Sequence, residues 1–243
     1  MRSLCTTAEQ KEHLAKLLKL MRAKELNGGE AWSAFSSPAV SKTFTRKNAH
    51  WRTVNFTEDE VGTYKEIRKK VQEVLFERCL GCCAYCRRPV GHYGWAWHIE
   101  HVLPKSKYPS LAFKLANLTV GCVHCNQWKG ARVDKKVSKR ALPIINPIVP
   151  NFIYSSHLTY VQISTESLCF AKYSTHSGEG LKTYELLSFE ELERAYAING
   201  MHAPTAALHE RLTRAMSAVL TSPEKRELVE LLGGLKSSLY RLP

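Results

Sequence analysis

The sequence has no run of about 18 apolar residues, the length that a membrane span requires, so it predicts no membrane helix. Its N-terminus lacks an apolar signal-peptide core, because charged residues recur between Glu9 and Lys19. No internal repeat or low-complexity tract is present. These absences favour a cytoplasmic protein. Thiols stay reduced in the cytoplasm, so the eight cysteines indicate metal binding rather than disulfides.

Acidic residues are scarce in the middle of the chain. The 243 residues include 35 Lys and Arg against 22 Asp and Glu, which gives a net charge of +13. Residues 83–140 contain 11 basic residues and only two acidic ones, Glu100 and Asp134, which gives that segment +9. An excess of this size attracts polyanions and indicates nucleic acid, although a solvated basic face would have the same composition.

Helical patterns come before this basic segment. Capping-box patterns and apolar faces predict one helix over residues 7–26 and another from Thr57 to about Arg78. Between them, residues 27–55 are rich in Gly, Ser, Lys and Arg and contain a proline, which is typical of a connection. The N-terminal third is therefore predicted to be helical.

Short strands and further helices are predicted after the basic segment. Three prolines make residues 131–152 resemble an extended linker, and partly alternating apolar residues predict short strands over 157–171. A capping-box pattern at Ser188 and the prolines Pro204 and Pro223 predict three helices. The chain thus divides into an N-terminal helical region, a central motif region and a C-terminal region of strands and helices, over residues 1–78, 79–142 and 143–243.

The cysteines of the central region form two C-x-x-C pairs. The pairs are Cys83 with Cys86 and Cys122 with Cys125. Four thiolates suit a tetrahedral zinc ion, so the sequence predicts a structural zinc site with four cysteine ligands. The 35 residues between the pairs exceed the usual spacing of about 15–20. A further segment is therefore inserted between the two pairs, each of which would form one zinc knuckle. A competing C-x-x-C, Cys79 with Cys82, leaves open a ligand set that uses one of these cysteines instead.

The inserted segment carries further polar motifs. It contains His98-Ile-Glu-His-Val-Leu-Pro104, then Asn117-Leu118, and Asn126-Gln-Trp-Lys-Gly130 follows the last cysteine. With the two C-x-x-C pairs, these motifs resemble the HNH nuclease motif in residue type, order and spacing. The resemblance covers residues 83–130. It implies a ββα-metal fold, and hence an α+β protein with a zinc-stapled nuclease core and helical additions on both sides.

The resemblance also implies a role for each polar residue. His101 matches the catalytic histidine that acts as general base. Glu100 and Asn126 match the ligands of a single catalytic metal, although Asp or His is common where Glu100 stands, and hard oxygen ligands suit Mg²⁺ or Mn²⁺. Asn117 matches the residue that braces the active loop. His98 would share a strand face with Glu100, as a third metal contact, a phosphate contact or a structural histidine.

Basic side chains next to these motifs are candidates for binding DNA phosphates. Lys105 and Lys107 follow the histidine motif, and Lys129 and Arg132 follow the second knuckle. Any one of them alone is typical of a solvated surface charge, but the +9 of the region favours phosphate binding. We therefore expect DNA, in duplex form, as the partner.

A narrower resemblance concerns the histidine motif, from His98 to His101, and the Pro104-Lys-Ser-Lys-Tyr-Pro109 segment that follows it. This stretch is similar to the HNH subunits of Septu-type bacterial anti-phage systems, including those attached to some retrons. The resemblance implies a nuclease effector that acts with an ABC-type ATPase partner. Two other interpretations stay open: a stand-alone nuclease of restriction or mobile-element type, and a zinc-dependent nucleic-acid-binding adaptor without catalysis.

Overall fold

A computed structural model describes residues 4–46, 51–92, 94–164 and 169–200. Its strands pair into three separate antiparallel ribbons, β1 with β2, β3 with β4 and β5 with β6, and the fold is α+β as predicted. The helices are α1 (Ala8–Arg22), α2 (Gly28–Ser36), α3 (Glu58–Arg78), α4 (Val123–Trp128), α5 (Gly178–Leu186) and α6 (Phe189–Gly200). The strands are β1 (Ser41–Thr45), β2 (Trp51–Asn55), β3 (Trp97–His101), β4 (Leu118–Cys122), β5 (Leu158–Ser164) and β6 (Cys169–Thr175).

Helices α1 and α3 form where the capping patterns predict them. The Thr57 side chain accepts a hydrogen bond from the Glu60 N–H, and the Glu60 side chain accepts one from the Thr57 N–H, which completes a capping box. Helix α1 begins after Thr7, but it ends at Arg22, four residues before the predicted end at residue 26. Both helices bury one face in the core.

The prediction of a connection over residues 27–55 is wrong, because this segment forms α2 and the β1–β2 ribbon. Asn27 caps α2 through a second capping box with Glu30. Only nine residues make up α2, and five of them are buried, so tertiary packing stabilises a helix too short to give a clear periodic pattern.

The C-terminal region contains the predicted strands, but its linker is part of the core. Ile144 and Ile145 lie within residues 131–152 and are both buried, and the Ile145 N–H donates to Thr183 Oγ1 of α5. The prediction of an extended linker is therefore wrong. Helix α6 begins next to Ser188 as predicted, whereas α5 was not predicted. The helices predicted near Pro204 and Pro223 lie outside the described residues.

One continuous hydrophobic core joins the three regions of the chain. It takes Leu17 and Tyr64 from the N-terminal helices, Leu118 from β4, and Leu158 and Phe189 from the C-terminal region. The helices therefore form a scaffold around the β3–β4 ribbon. Within the described ranges, no helix combines the length and apolar character that crossing a bilayer requires.

The first residue of α2 packs directly on the loop that follows β3. A Cβ atom on Gly28 would lie 2.3 Å from the Lys105 carbonyl oxygen, so only glycine allows this approach. We expect Gly28→Ala to lower the free energy of unfolding by about 1–3 kcal/mol, because the backbones must separate. Chemical denaturation measures this change.

Gly62, in α3, is a matched control because a Cβ atom there meets nothing within 4 Å. Gly62→Ala should raise the free energy of unfolding by about 0.5–1 kcal/mol through helix propensity alone. Equal effects of the two substitutions would contradict the close packing of α2 on the loop.

Candidate active site

The central region folds as an antiparallel ribbon followed by a helix. In the β3–β4 ribbon, Glu100 pairs with Thr119 and His101 pairs with Leu118. Helix α4 starts directly after β4 and is capped by the Cys122 side chain, which accepts from the Cys125 N–H. This ββα arrangement places the histidine motif of β3 beside the start of α4.

The four cysteines of the predicted zinc site lie together in the core. The sulfurs of Cys83, Cys86, Cys122 and Cys125 are all within 4.8 Å of one another, and all four residues are buried. The Cys86 and Cys122 sulfurs are 3.7 Å apart. A tetrahedral site with Zn–S bonds of about 2.3 Å separates its sulfurs by about 3.8 Å, so the cluster suits zinc. Cys79 and Cys82 lie outside the cluster, which argues against the alternative ligand set.

Polar groups around the cluster favour a thiolate at Cys122. Hydrogen bonds with the three neighbouring cysteines lower the pKa of Cys122, whereas burial raises the pKa of Cys83 and Cys125. The buried Arg88 places Nη2 3.6 Å from the Cys122 sulfur, and the Cys122 N–H donates to Cys83 Sγ at 3.3 Å. A cation and backbone donors thus offset the negative charge that four thiolates would leave around zinc.

The C-terminal region holds both zinc knuckles from outside. Tyr154 and Tyr173 donate to the carbonyl oxygens of Tyr85 and Cys86, at 3.0 and 2.8 Å. On the second knuckle, His124 Nε2 donates to the Leu187 carbonyl at 2.8 Å, which is a structural role. The strands and helices after the nuclease motif therefore stabilise the cysteine cluster.

His101 is 3% exposed and fixed on two sides. Its Nε2 donates to the Ala112 carbonyl at 3.0 Å, and the Trp32 ring meets it edge-on at a centroid distance of 4.3 Å. With Nε2 as the donor, the neutral imidazole keeps its lone pair on Nδ1. Burial, followed by the positive charge of Lys105, lowers the pKa of His101 to about 3. His101 is therefore neutral near pH 7.

The three predicted ligands of a catalytic metal lie next to one another. His98 and Glu100 are two residues apart on β3, and Asn126 Nδ2 donates to His98 Nδ1 at 3.1 Å. A Cβ atom on Gly121 would lie 2.9 Å from Glu100 Cβ and 3.9 Å from Asn126 Cβ, so both side chains share the space beside this glycine. A carboxylate, an amide and an imidazole together form a donor set that fits Mg²⁺ or Mn²⁺.

Lys129 is buried at the centre of the site, with none of its side chain exposed. Its Nζ lies 2.8 Å from Glu100 Oε1, 2.7 Å from Asp134 Oδ1 and 2.8 Å from the His101 carbonyl oxygen. Burial alone would lower the pKa of Lys129, but the two carboxylates raise it above its usual value. The prediction that Lys129 binds DNA phosphates is therefore wrong, because three oxygens inside the protein occupy its ammonium group.

Asn117 braces the loop that follows β3. Its Oδ1 accepts from the Leu103 N–H at 2.9 Å, and its Nδ2 donates to the carbonyls of Leu103 and Leu111 at 3.0 and 3.3 Å. These bonds span the loop between His101 and its acceptor Ala112. Asn117 is itself 3% exposed and is not among the residues that line the cleft of His101.

Only one of the other three basic residues predicted to bind DNA lines the cleft. Lys105 lies there beside Glu100 and His101, in a space of about 490 Å³. Lys107 instead donates to the carbonyls of Lys135 and Val137, and the Arg132 guanidinium stacks 3.7 Å above the Trp128 ring and bonds Ser188 Oγ. Lys107 and Arg132 therefore stabilise contacts between distant segments of the chain, and they also contribute positive charge.

Residues that the sequence did not single out complete the cleft. Asn27 and Gly29 of the α2 N-terminal turn line it, and so does Asp134. Trp32 packs behind His101. A signal for Asp134 was present in the sequence, because it and Glu100 are the only acidic residues in an otherwise basic segment. No comparable pattern marked Trp32.

The central region is similar to a known protein family. The family model described as HNH endonuclease matches residues 83–132, which include both zinc knuckles, β3, β4 and α4. Residues 83–132 are therefore similar to HNH endonucleases, as their motifs predicted.

A particular relative is also similar to the chain. Over 79 residues the chain is 35% identical to the Septu protein PtuB of Bacillus thuringiensis. The match covers 32% of this chain and 29% of PtuB, so it spans less than a third of either protein. No solved structure matches the chain. This match confirms the resemblance to Septu-type proteins that the histidine motif indicated.

The cysteine cluster makes a testable prediction about zinc content. We expect the wild-type protein to hold one zinc ion, and Cys83→Ser to lose it and unfold, because structural zinc contributes directly to folding. The double variant Cys79→Ser/Cys82→Ser should keep its zinc. Native mass spectrometry measures the stoichiometry, and loss of zinc from the double variant would contradict the assigned ligand set.

The buried Lys129 makes a second prediction. Lys129→Met removes the cation from two carboxylates and should lower the free energy of unfolding by about 3–5 kcal/mol, because it leaves buried negative charge without a partner. The exposed Lys136 is the control, and Lys136→Met should change stability by no more than about 0.5 kcal/mol. Chemical denaturation compares the two variants. Similar values would show that the buried ion pairs do not support the site.

Proposed function

We propose that this protein is a metal-dependent endonuclease that hydrolyses phosphodiester bonds of duplex DNA. The observation that carries the proposal is the geometry of His101. Its Nε2 is fixed by the Ala112 carbonyl, and its ring lines a cleft that also contains Glu100 and Lys105. A neutral imidazole fixed in one orientation at a cleft is suited to accept a proton from a water molecule.

In the proposed reaction, Nδ1 of His101 takes a proton from water as the water oxygen attacks phosphorus. The bond between phosphorus and the leaving oxygen of the sugar then breaks, and solvent protonates that oxygen. The Ala112 carbonyl keeps the ring oriented by accepting the Nε2–H throughout. Lys105 offsets negative charge on the phosphate from the cleft wall.

Glu100, Asn126 and His98 are the residues that would hold Mg²⁺ or Mn²⁺. When bound, such an ion neutralises charge on the phosphate and on the leaving oxygen. The carboxylate of Glu100 also bonds Lys129, which orients it within the buried part of the site. Asn117 keeps the following loop in place and so positions His101 between strand and loop.

We further propose a role in anti-phage defence in the cytoplasm, with an ABC-type ATPase as partner. Similarity to the Septu protein PtuB supports the defence role, and the motif from His98 to Pro109 supports the same subgroup. A zinc-dependent adaptor without catalysis would need the cysteine cluster and the positive charge. It would not need a buried neutral histidine fixed at a cleft that Glu100 also lines, so we favour the nuclease.

Plasmid cleavage by zinc-loaded protein tests this function. Wild-type protein should cut with Mg²⁺ or Mn²⁺ and not with EDTA, and His101→Ala should lose at least about 10²-fold in rate because it lacks the general base. The exposed His176 provides a control, and His176→Ala should cut like wild type. Retained zinc and an unchanged near-ultraviolet circular dichroism spectrum would show that His101→Ala is folded.

Equal cutting by wild type and His101→Ala would contradict the assignment of the base. A wild-type protein that binds DNA but does not cut it with either metal would instead favour the adaptor.

A further inference from the structure

The outer face of the β1–β2 ribbon has an unusual composition. Side chains alternate along both strands, so that Lys42, Phe44, Arg52 and Val54 turn inward. The outward face carries neither charged nor aliphatic side chains, and every residue on it has a hydrogen-bonding group. Its members are Ser41, Thr43, Thr45, Trp51, Thr53 and Asn55.

This face is exposed and continuous with the candidate active site. Asn27 and Gly29 line the cleft of His101, and they also line a second groove of about 900 Å³ that runs along Thr43 and Thr45. Trp51 is 68% exposed. A nucleic acid that follows both grooves from the cleft would therefore reach Thr43 and Thr45 of the ribbon.

Helix α2 fixes the ribbon relative to the catalytic histidine. Lys42 Nζ donates to the carbonyls of Ser33 and Ser37 at the end of α2, both at 2.6 Å. Arg46 forms a bidentate ion pair with Glu30 in the first turn of the same helix. Trp32 of α2 packs against His101. Because α2 contacts both the β1–β2 ribbon and His101, the distance between the ribbon and His101 is fixed.

We infer that the outer face of the β1–β2 ribbon enters a groove of duplex DNA and contacts base edges at a fixed distance from the cut. This inference rests on the proposed nuclease function and assigns its DNA-specificity element. A two-stranded ribbon fits the major groove, which is about 12 Å wide, and Ser, Thr and Asn side chains pair with base edges there.

Charge favours DNA over a protein as the occupant. Residues 41–55 contain four basic residues and no acidic ones. Arg46 pairs with Glu30 and Arg52 pairs with Glu25, but both arginine side chains stay partly exposed beside the ribbon, where they can also approach the phosphates that border a groove. The Thr43 and Thr53 hydroxyls bond each other at 2.8 Å, which presents them as one polar pair at the centre of the face.

The test compares this pair with a matched pair on another ribbon. Thr43→Val/Thr53→Val removes both hydroxyls and keeps the shape and β propensity of the side chains. Trp51→Ala is a second variant on the same face. The control is Thr159→Val/Ser174→Ala, an exposed cross-strand pair on the β5–β6 ribbon, which packs on the zinc knuckles.

Two readouts are needed, because the inference rests on a proposed function. One is fluorescence anisotropy with a pool of random 30-base-pair duplexes and zinc-loaded protein without Mg²⁺ or Mn²⁺. The other is sequencing of the ends produced when each protein digests plasmid DNA with Mn²⁺. We expect both ribbon variants to bind about tenfold more weakly and to lose a base preference at a fixed distance from the cut, and the control to match wild type.

The outcomes separate the inference from the proposed function. Wild-type affinity and wild-type cut sites in both ribbon variants would overturn the inference while the nuclease stands, and would leave a protein partner as the occupant of this face. If wild type binds the duplexes but does not cut, the nuclease proposal fails. In that case weaker binding by the ribbon variants alone supports the inference, and unchanged binding overturns it.

Discussion

One buried ammonium group holds the candidate active site together. Lys129 Nζ bonds Glu100 and the His101 carbonyl on β3, and it also bonds Asp134 beyond the π-helical turn that follows α4. These contacts connect the strand that carries His101 with the segment that carries Asn126. An unpaired charge on Lys129 or Glu100 would be costly at this depth, so each stabilises the other, and the partly exposed Asp134 is a second partner for Lys129. The positions of Glu100 and His101 follow from this constraint.

Two scaffolds support that centre from opposite sides. The cysteine cluster joins the start of the domain to β4 and α4, and the tyrosines of the C-terminal region bond the backbone of its first knuckle. On the other side, α2 seats Gly28 on the loop after β3 and packs Trp32 against His101. A catalytic group held by packed helices and strands keeps its geometry better than one on a free loop.

The sequence predicted the parts of the site that have a fixed local pattern. The spacing of Cys83, Cys86, Cys122 and Cys125, and the order of His101 and Asn126 along the same segment, were sufficient for the ββα motif and its class. Contacts between distant segments were not predictable in this way. Helix α2 is short, and its stability depends on burial. Lys129 lies in a basic segment of the sequence, which is typical of an exposed side chain. Only the fold brings Glu100 and Asp134 next to it.

The central claim is that one domain holds two metals of different chemistry, zinc among four thiolates and a catalytic ion beside Glu100. Crystals of the protein grown with Mn²⁺, with anomalous diffraction recorded at the zinc and manganese edges, test it most directly. We predict a zinc peak among the four cysteine sulfurs and a manganese peak between Glu100, Asn126 and His98. A zinc peak elsewhere, or manganese bound only away from Glu100, would contradict the account.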